Sequence, residues 1–162
     1  YRRTLEDSAD LIVFAREMEQ TKRYFTFEVA RFGADRVEME MRIDPRVEDM
    51  LVPPFLLQPL VENAVRHAMP SEGKLTIEVT GEVTGNDVIV RVCDNGVGMT
   101  EEARCNILHP ESSLGLGIAV KNVHDRICGY FGPGTHMEVE SELGKGTCVI
   151  LVLKEGALRE YQ

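Results

Sequence analysis

The segment from Lys74 to Gly96, "KLTIEVTGEVTGNDVIVRVCDNG", constrains the fold more than any other. Leu75, Ile77 and Val79 alternate with Thr76, Glu78 and Thr80, which is the period of a strand with one buried face. "GND" marks a turn. "VIVRVC" is then a second strand, more continuously apolar and so more deeply covered. A hairpin of this kind must be roofed by other elements, and the rest of the chain has to supply the roof.

Two further segments share the strand period. "RVEMEMRID" reads as a strand over Val37 to Ile43, and "HMEVESELGKGTCVILVL" as a final hairpin turning at Gly144-Lys145-Gly146. Elsewhere the period is helical. Residues 4–31 carry no Gly or Pro and are read mostly as helix ended by Gly33, although "YFTFEVARF" could become extended. "LLQPLVENAVRHAM" reads as a helix starting near Pro54 and stopping before Pro70. "GLGIAVKNVHDRICGYF" opens with glycines and becomes an amphipathic helix, with Ile118, Val123 and Ile127 assigned to one side. "DPRVEDMLVPP" reads as a proline-bounded loop, and "MTEEARCNILHPESS" as a loop with a short helix. The order predicts an α+β fold: one mixed or antiparallel sheet with helices on one face. A boundary between residues 32 and 36 would separate a helical stalk from the sheet domain.

Composition excludes several classes. The 162 residues suit one domain with room for an appended element, and 43% apolar with 28% charged residues is ordinary for a soluble protein. The net charge of -9 disfavours nucleic acid as a partner, since phosphate neutralisation needs clustered Lys and Arg. An acidic chain can still bind a nucleotide if local groups and a metal ion handle the phosphates. No stretch reaches the ~18 apolar residues of a membrane span, and the chain opens at Tyr1 inside a helical pattern, as an excised soluble fragment would. Cys93, Cys105, Cys128 and Cys148 form no C-x-x-C pair and no zinc spacing. Cys93 and Cys148 fall inside strands, and the expectation is reduced, buried thiols.

Four motifs carry chemistry. On the helix with Leu56 and Leu57, the side chains of Leu60, Val61, Ala64, Val65 and Ala68 fill one half of the wheel, and Glu62, Asn63, Arg66 and His67 fill the other. Alone, that polar half reads as a solvated face with an i,i+4 ion pair. "VCDNGVGM" runs a strand straight into Asp94. A carboxylate there could accept a hydrogen bond from an exocyclic amine such as that of adenine, and Gly96 and Gly98 could let backbone approach a flat ligand. Alone it is equally a tight turn. Gly115 and Gly117 open a helix and could present N–H groups to phosphate, although neither the P-loop nor the dinucleotide fingerprint is present. "GKGT" alone is a hairpin turn. Their joint order is much less expected by chance than any one of them. Together they would supply Mg²⁺ ligation, adenine recognition, a phosphate cradle and a sheet floor.

This constellation resembles the GHKL (Bergerat) ATPase superfamily, in which type II topoisomerase, histidine kinase and MutL ATPase domains are grouped. "ENAVRH" resembles its asparagine box, "DNGVGM" its first glycine box, "GLGIAVKNV" its second and "GKGT" its last. Upstream, Glu17, Glu19, Tyr24, Glu28, Arg31, Phe32, Pro53, Pro54 and Leu57 to Asn63 match the pattern of LytS-like sensor histidine kinases, so the resemblance spans nearly the whole chain. It implies a two-layer sandwich. Residues 1–33 would be the end of a dimerisation and phosphoacceptor region, and residues 34–162 the catalytic domain. The implied cofactors are ATP and Mg²⁺, and the implied partners are a response regulator and a second copy of the chain. The full protein would sit in a bacterial membrane with this domain in the cytoplasm.

The resemblance also implies roles. Asn63 would hold Mg²⁺, and Glu62 would polarise the accepting group near the γ-phosphate. Arg66 and His67 would lie along the phosphates; Asp94, helped by Thr147 through water, would accept from the adenine amine. Gly96, Gly98 and Met99 would flank the base, while Gly115, Leu116 and Gly117 would shape the end of a lid formed by residues 100–114. Two departures stand out. Ala119 replaces a glycine of the second glycine box, and His67, His109, His124 and His136 all lack the Asn-Pro-His-Phe context of the phosphoacceptor. The chain alone is therefore expected to bind ATP without phosphorylating itself. A stand-alone anti-sigma-factor serine kinase and an inactive nucleotide-binding module remain open alternatives.

Overall fold

The computed structural model describes residues 11–107 and 115–154. A two-residue strand β1 (Ile12–Val13) leads into α1 (Phe14–Phe32), then β2 (Val37–Ile43), a one-turn α2 (Pro45–Glu48), β3 (Leu51–Val52) and α3 (Gln58–Ala68). The hairpin β4 (Leu75–Thr84) and β5 (Asp87–Asp94) follows, then α4 (Glu101–Asn106), α5 (Gly115–Tyr130), and the hairpin β6 (His136–Glu142) and β7 (Gly146–Leu153).

Five strands form one sheet in the order β2-β4-β5-β7-β6. β2 runs parallel to β4, because the chain crosses over through α2, β3 and α3 between them. The remaining neighbours are antiparallel, so the sheet is mixed, one of the two arrangements that the sequence pattern allows. Alternation assigns the faces. Leu75, Ile77 and Val79 of β4 and Val88, Val90 and Val92 of β5 are buried together with residues of α1, α3 and α5. The opposite face is polar, with ion pairs such as Arg91–Glu82 at 2.7 Å and Lys74–Glu38 at 2.8 Å. These exposed pairs keep that face soluble and add little stability.

The helices differ from the sequence expectation in instructive ways. Residues 12 and 13 are not helical; they pair with β3. The proline-bounded loop contains α2, started by Pro45 and capped by the Asp44 carboxylate, which accepts from Arg46 N at 2.8 Å. α3 begins at Gln58 rather than near Pro54, although Leu56 and Leu57 are fully buried ahead of it. The apolar stripe of α5 is Val120, Val123, Ile127 and Tyr130. Ile118 is 54% exposed and does not belong to it. Three residues separate 120 from 123 and 127 from 130, the spacing that keeps side chains on one helical face.

One expectation about the cysteines is overturned. Cys93 and Cys148 lie directly opposite each other on β5 and β7, with Cα atoms 4.0 Å apart, and they form a disulfide. Strand alternation puts both on the open face of the sheet. Cys105 and Cys128 are free and exposed, so neither is a buried thiol.

Candidate functional site

The site forms beneath α3, where β5 ends and β7 begins. Asp94 closes β5 and sits opposite Thr147 in the ladder, so two motifs 53 residues apart meet as one cross-strand pair. Asp94 is half-buried at the end of its strand. Its Oδ1 accepts from Gly96 N at 2.8 Å and from Thr147 N at 3.3 Å, and its Oδ2 makes no hydrogen bond to any described residue. Burial pushes the Asp94 carboxyl above its usual range, and the two backbone N–H groups only partly offset this. A half-buried carboxylate with one oxygen uncommitted is a strong acceptor for a donor that enters the pocket.

α3 supplies the second wall. Its Leu60, Asn63, Ala64, His67 and Ala68 line a pocket with Asp94, Gly98, Met99 and Thr147. The floor and far side are Val92, Val149 and Ile107. A mostly apolar pocket lined also by a carboxylate and an amide suits a heteroaromatic ring bearing a polar tail. Neither the Asn63 nor the His67 side chain hydrogen bonds to a described residue, so both can turn toward a ligand. Burial, and then the charge of Arg66, holds the His67 imidazole below its ordinary range.

The polar half of α3 splits in two. Asn63 and His67 border the pocket, whereas Glu62 and Arg66 do not line it. Glu62 accepts from Gln58 Nε2 at 2.7 Å, and both Glu62 and Arg66 act electrostatically on Tyr24 of α1. Burial, then the neighbouring Glu28 carboxylate, holds the Tyr24 phenol above its ordinary range.

The glycines meet protein backbone as well as open pocket. A Cβ on Gly96 would lie 2.1 Å from the Ala68 carbonyl oxygen, so Gly96 is a packing residue under α3 and does not line the pocket. Gly98, with φ of 71°, lines the pocket and also lies against Glu142, where a Cβ would sit 2.1 Å from that carbonyl. Gly146 is not simply a turn residue, because a Cβ there would meet Asp94 O at 2.1 Å. Gly115 and Gly117 begin α5. Residues 108–114, nearly half of the expected lid, lie outside the described residues, as do the side chains at 115–117. Ala119 lies within α5, and Phe55 is the one non-glycine residue with positive φ among those described, so the Ala119 methyl meets no backbone strain.

Residues 55–157 match the family model described as histidine kinase-, DNA gyrase B- and HSP90-like ATPase. The chain belongs to this ATPase family. Among curated relatives it is similar to the sensor protein LytS of Bacillus cereus, with 36% identity over 94% of this chain and 26% of that protein. It is also similar to LytS of Bacillus subtilis, with 34% identity over 91% of this chain and 25% of that one. The chain thus spans about a quarter of the length of these relatives. Its fold matches the catalytic domain of the histidine kinase ThkA, with a TM-score of 0.66, 19% identity, and coverage of 90% of this chain and 94% of that one. It also matches the kinase domain of an Erythrobacter litoralis blue-light activated histidine kinase, with a TM-score of 0.63, 18% identity, and coverage of 92% and 63%.

Some residues that line or support the pocket carry no motif signal. Ser141 ties the site together: its Oγ lies 2.7 Å from Thr147 Oγ1, donates to Gly146 O at 3.0 Å and accepts from Met99 N at 2.8 Å. Nothing in "VESELG" marks it. Ala64 and Ala68, one turn apart beside Asn63 and His67, were legible as small residues leaving room beside a polar edge, but the wheel gave them only to the core.

Proposed function

We propose that this chain is the catalytic domain of a LytS-like sensor histidine kinase and supplies the ATP γ-phosphoryl to a His outside residues 1–162. The phosphoryl would pass from that His to an Asp of a response regulator receiver domain. Residues 1–33 would close the dimerisation region, residues 34–162 would form the catalytic part, and the full protein would sit in a bacterial membrane with this domain on the cytoplasmic side. The uncommitted oxygen of the half-buried Asp94 carboxylate, which lines a mostly apolar pocket, is the observation that carries the reading.

In this reading Asp94 accepts from the adenine amine, Thr147 assists through water, and Gly98 and Met99 border the base. Asn63 ligates Mg²⁺. Among the described residues no group of three or more His, Cys, Asp and Glu can hold a metal, so most ligands would be phosphate oxygens and water, the usual habit of Mg²⁺. The Asn63 amide, free of other described partners, fits that set. Arg66 and His67 meet the phosphates, Glu62 polarises the accepting group, and Gly115, Leu116 and Gly117 shape the phosphate end. The residues position the phosphates, and the metal neutralises developing charge when it is bound.

Calorimetric titration of the chain with ATP and Mg²⁺ tests the proposal. Saturable binding that GTP fails to reproduce is the expected result. No heat at about millimolar ATP, where even a weak complex of roughly -4 kcal/mol registers, would sink it.

A further inference from the structure

The N-terminus of α3 is held by a charge from another helix. Its N-cap residue, Leu57, provides no side-chain cap. Instead three consecutive N–H groups converge on Glu17 of α1: Phe55 N donates to Oε2 at 2.9 Å, while Leu56 N and Leu57 N donate to Oε1 at 2.8 and 2.9 Å. Glu17 is 1% exposed. Three N–H donors satisfy a carboxylate that burial would otherwise penalise heavily, and the carboxylate satisfies three backbone donors of the turn that leads into α3.

The same segment is conformationally constrained. Phe55 has a φ of 62°, the left-handed region that disfavours a residue with a Cβ. Its ring is 61% exposed, so side-chain burial does not offset the strain. What holds it is backbone hydrogen bonding on both sides, because Arg126 Nη1 of α5 donates to Phe55 O at 3.0 Å. α1, α3 and α5 therefore meet through polar contacts at one residue. α3 carries Asn63 and His67, and α5 carries the glycines of the phosphate end.

We propose that the Glu17–Phe55–Arg126 junction sets the position of α3 over the nucleotide pocket, which makes Glu17 a positioning residue for ATP binding and α1 the element through which displacement reaches the site. Apolar packing lets a helix slide at little cost. Three short charge-assisted bonds in a dry site do not, because any displacement leaves a buried charge or buried donors unpaired. A shift of α1 is thus passed to α3 as a rigid-body movement rather than absorbed. The inference rests on the reading of Asn63 and His67 as nucleotide contacts.

The test compares Glu17→Gln with Met18→Ala in the 162-residue chain, by calorimetry with ATP and Mg²⁺ and by thermal melting. The glutamine side chain keeps the shape of Glu17 but turns an amide toward one N–H. Met18 is the adjacent buried residue on α1 and makes no contact with the junction's N–H groups. At a temperature where both variants are folded, Glu17→Gln is expected to weaken ATP binding about tenfold, and Met18→Ala to change it less than twofold, whatever each does to the melting temperature. Equal affinity losses in the two variants, or no loss in Glu17→Gln, overturns the proposal, since a merely structural role follows stability alone. If Glu17→Gln does not fold, Arg126→Gln breaks the α5 side of the junction at the surface and is expected to weaken binding severalfold; an unchanged affinity then overturns it. Should the wild-type chain bind no ATP, the function fails first. The junction is then judged by the NMR shifts of the Asn63 and His67 side chains, which must move in Glu17→Gln and stay fixed in Met18→Ala.

Discussion

Asp94 shows how one residue is placed for function against its own stability. Its folded pKa lies above the unfolded value because burial outweighs two backbone N–H bonds. The sign follows from linkage: the ionised form opposes folding, the penalty stands in full above the folded pKa, and it is relieved as pH falls through that value. Asp94→Asn removes the charge and leaves an oxygen for Gly96 N. The melting temperature at neutral pH is therefore expected to hold or rise, while ATP affinity falls at least about tenfold, the order of one lost charge-assisted bond. Calorimetry and thermal melting on the same sample check both arms; unchanged ATP affinity refutes the role given to Asp94. The family resemblance, which set Thr147 beside Asp94, made their meeting foreseeable. That Gly96 lies under the Ala68 carbonyl was not foreseeable. Close backbone approach is a tertiary fact, and a glycine in sequence does not say which carbonyl will come near it.

Period governs the elements, and where the period was strong the element was legible. β2 occupies Val37–Ile43 as its alternation predicts, and β4 and β5 turn at the Gly85 hairpin. α3 was legible as a helix but not in its start, because the N–H donors ahead of Gln58 go to Glu17, distant in sequence. The disulfide was hidden for a related reason. Cys93 and Cys148 stand 55 residues apart, and only the β5–β7 register brings them opposite. Closing a loop of that size restrains the unfolded chain by up to about 4 kcal/mol on the chain-entropy estimate. A dithiol reductant is accordingly expected to lower the urea midpoint of the chain, with four thiols titrating after denaturation under reducing conditions and two without. An unchanged midpoint alongside four free thiols would remove the bridge's contribution to stability.

At the scale of the molecule, a boundary in role need not be a boundary in folding. The sequence suggests a stalk ending near residue 33, yet Phe14, Met18 and Phe25 of α1 are buried in the same core as α3 and the sheet. Each large apolar side chain contributes about 1.5–3 kcal/mol when buried. Three of them approach the whole stability of a typical domain, which is only about 5–15 kcal/mol. Removing residues 1–33 also removes Glu17 and leaves the backbone N–H groups of Leu56 and Leu57 without their acceptor. Residues 34–162 alone are therefore expected to melt at least about 10 °C below the full chain, or to lose a cooperative transition altogether. Differential scanning calorimetry of the two lengths decides it. An unchanged transition would mean that α1 rests on the domain without stabilising it, and movement of α1 would then have no stiff connection to the nucleotide pocket.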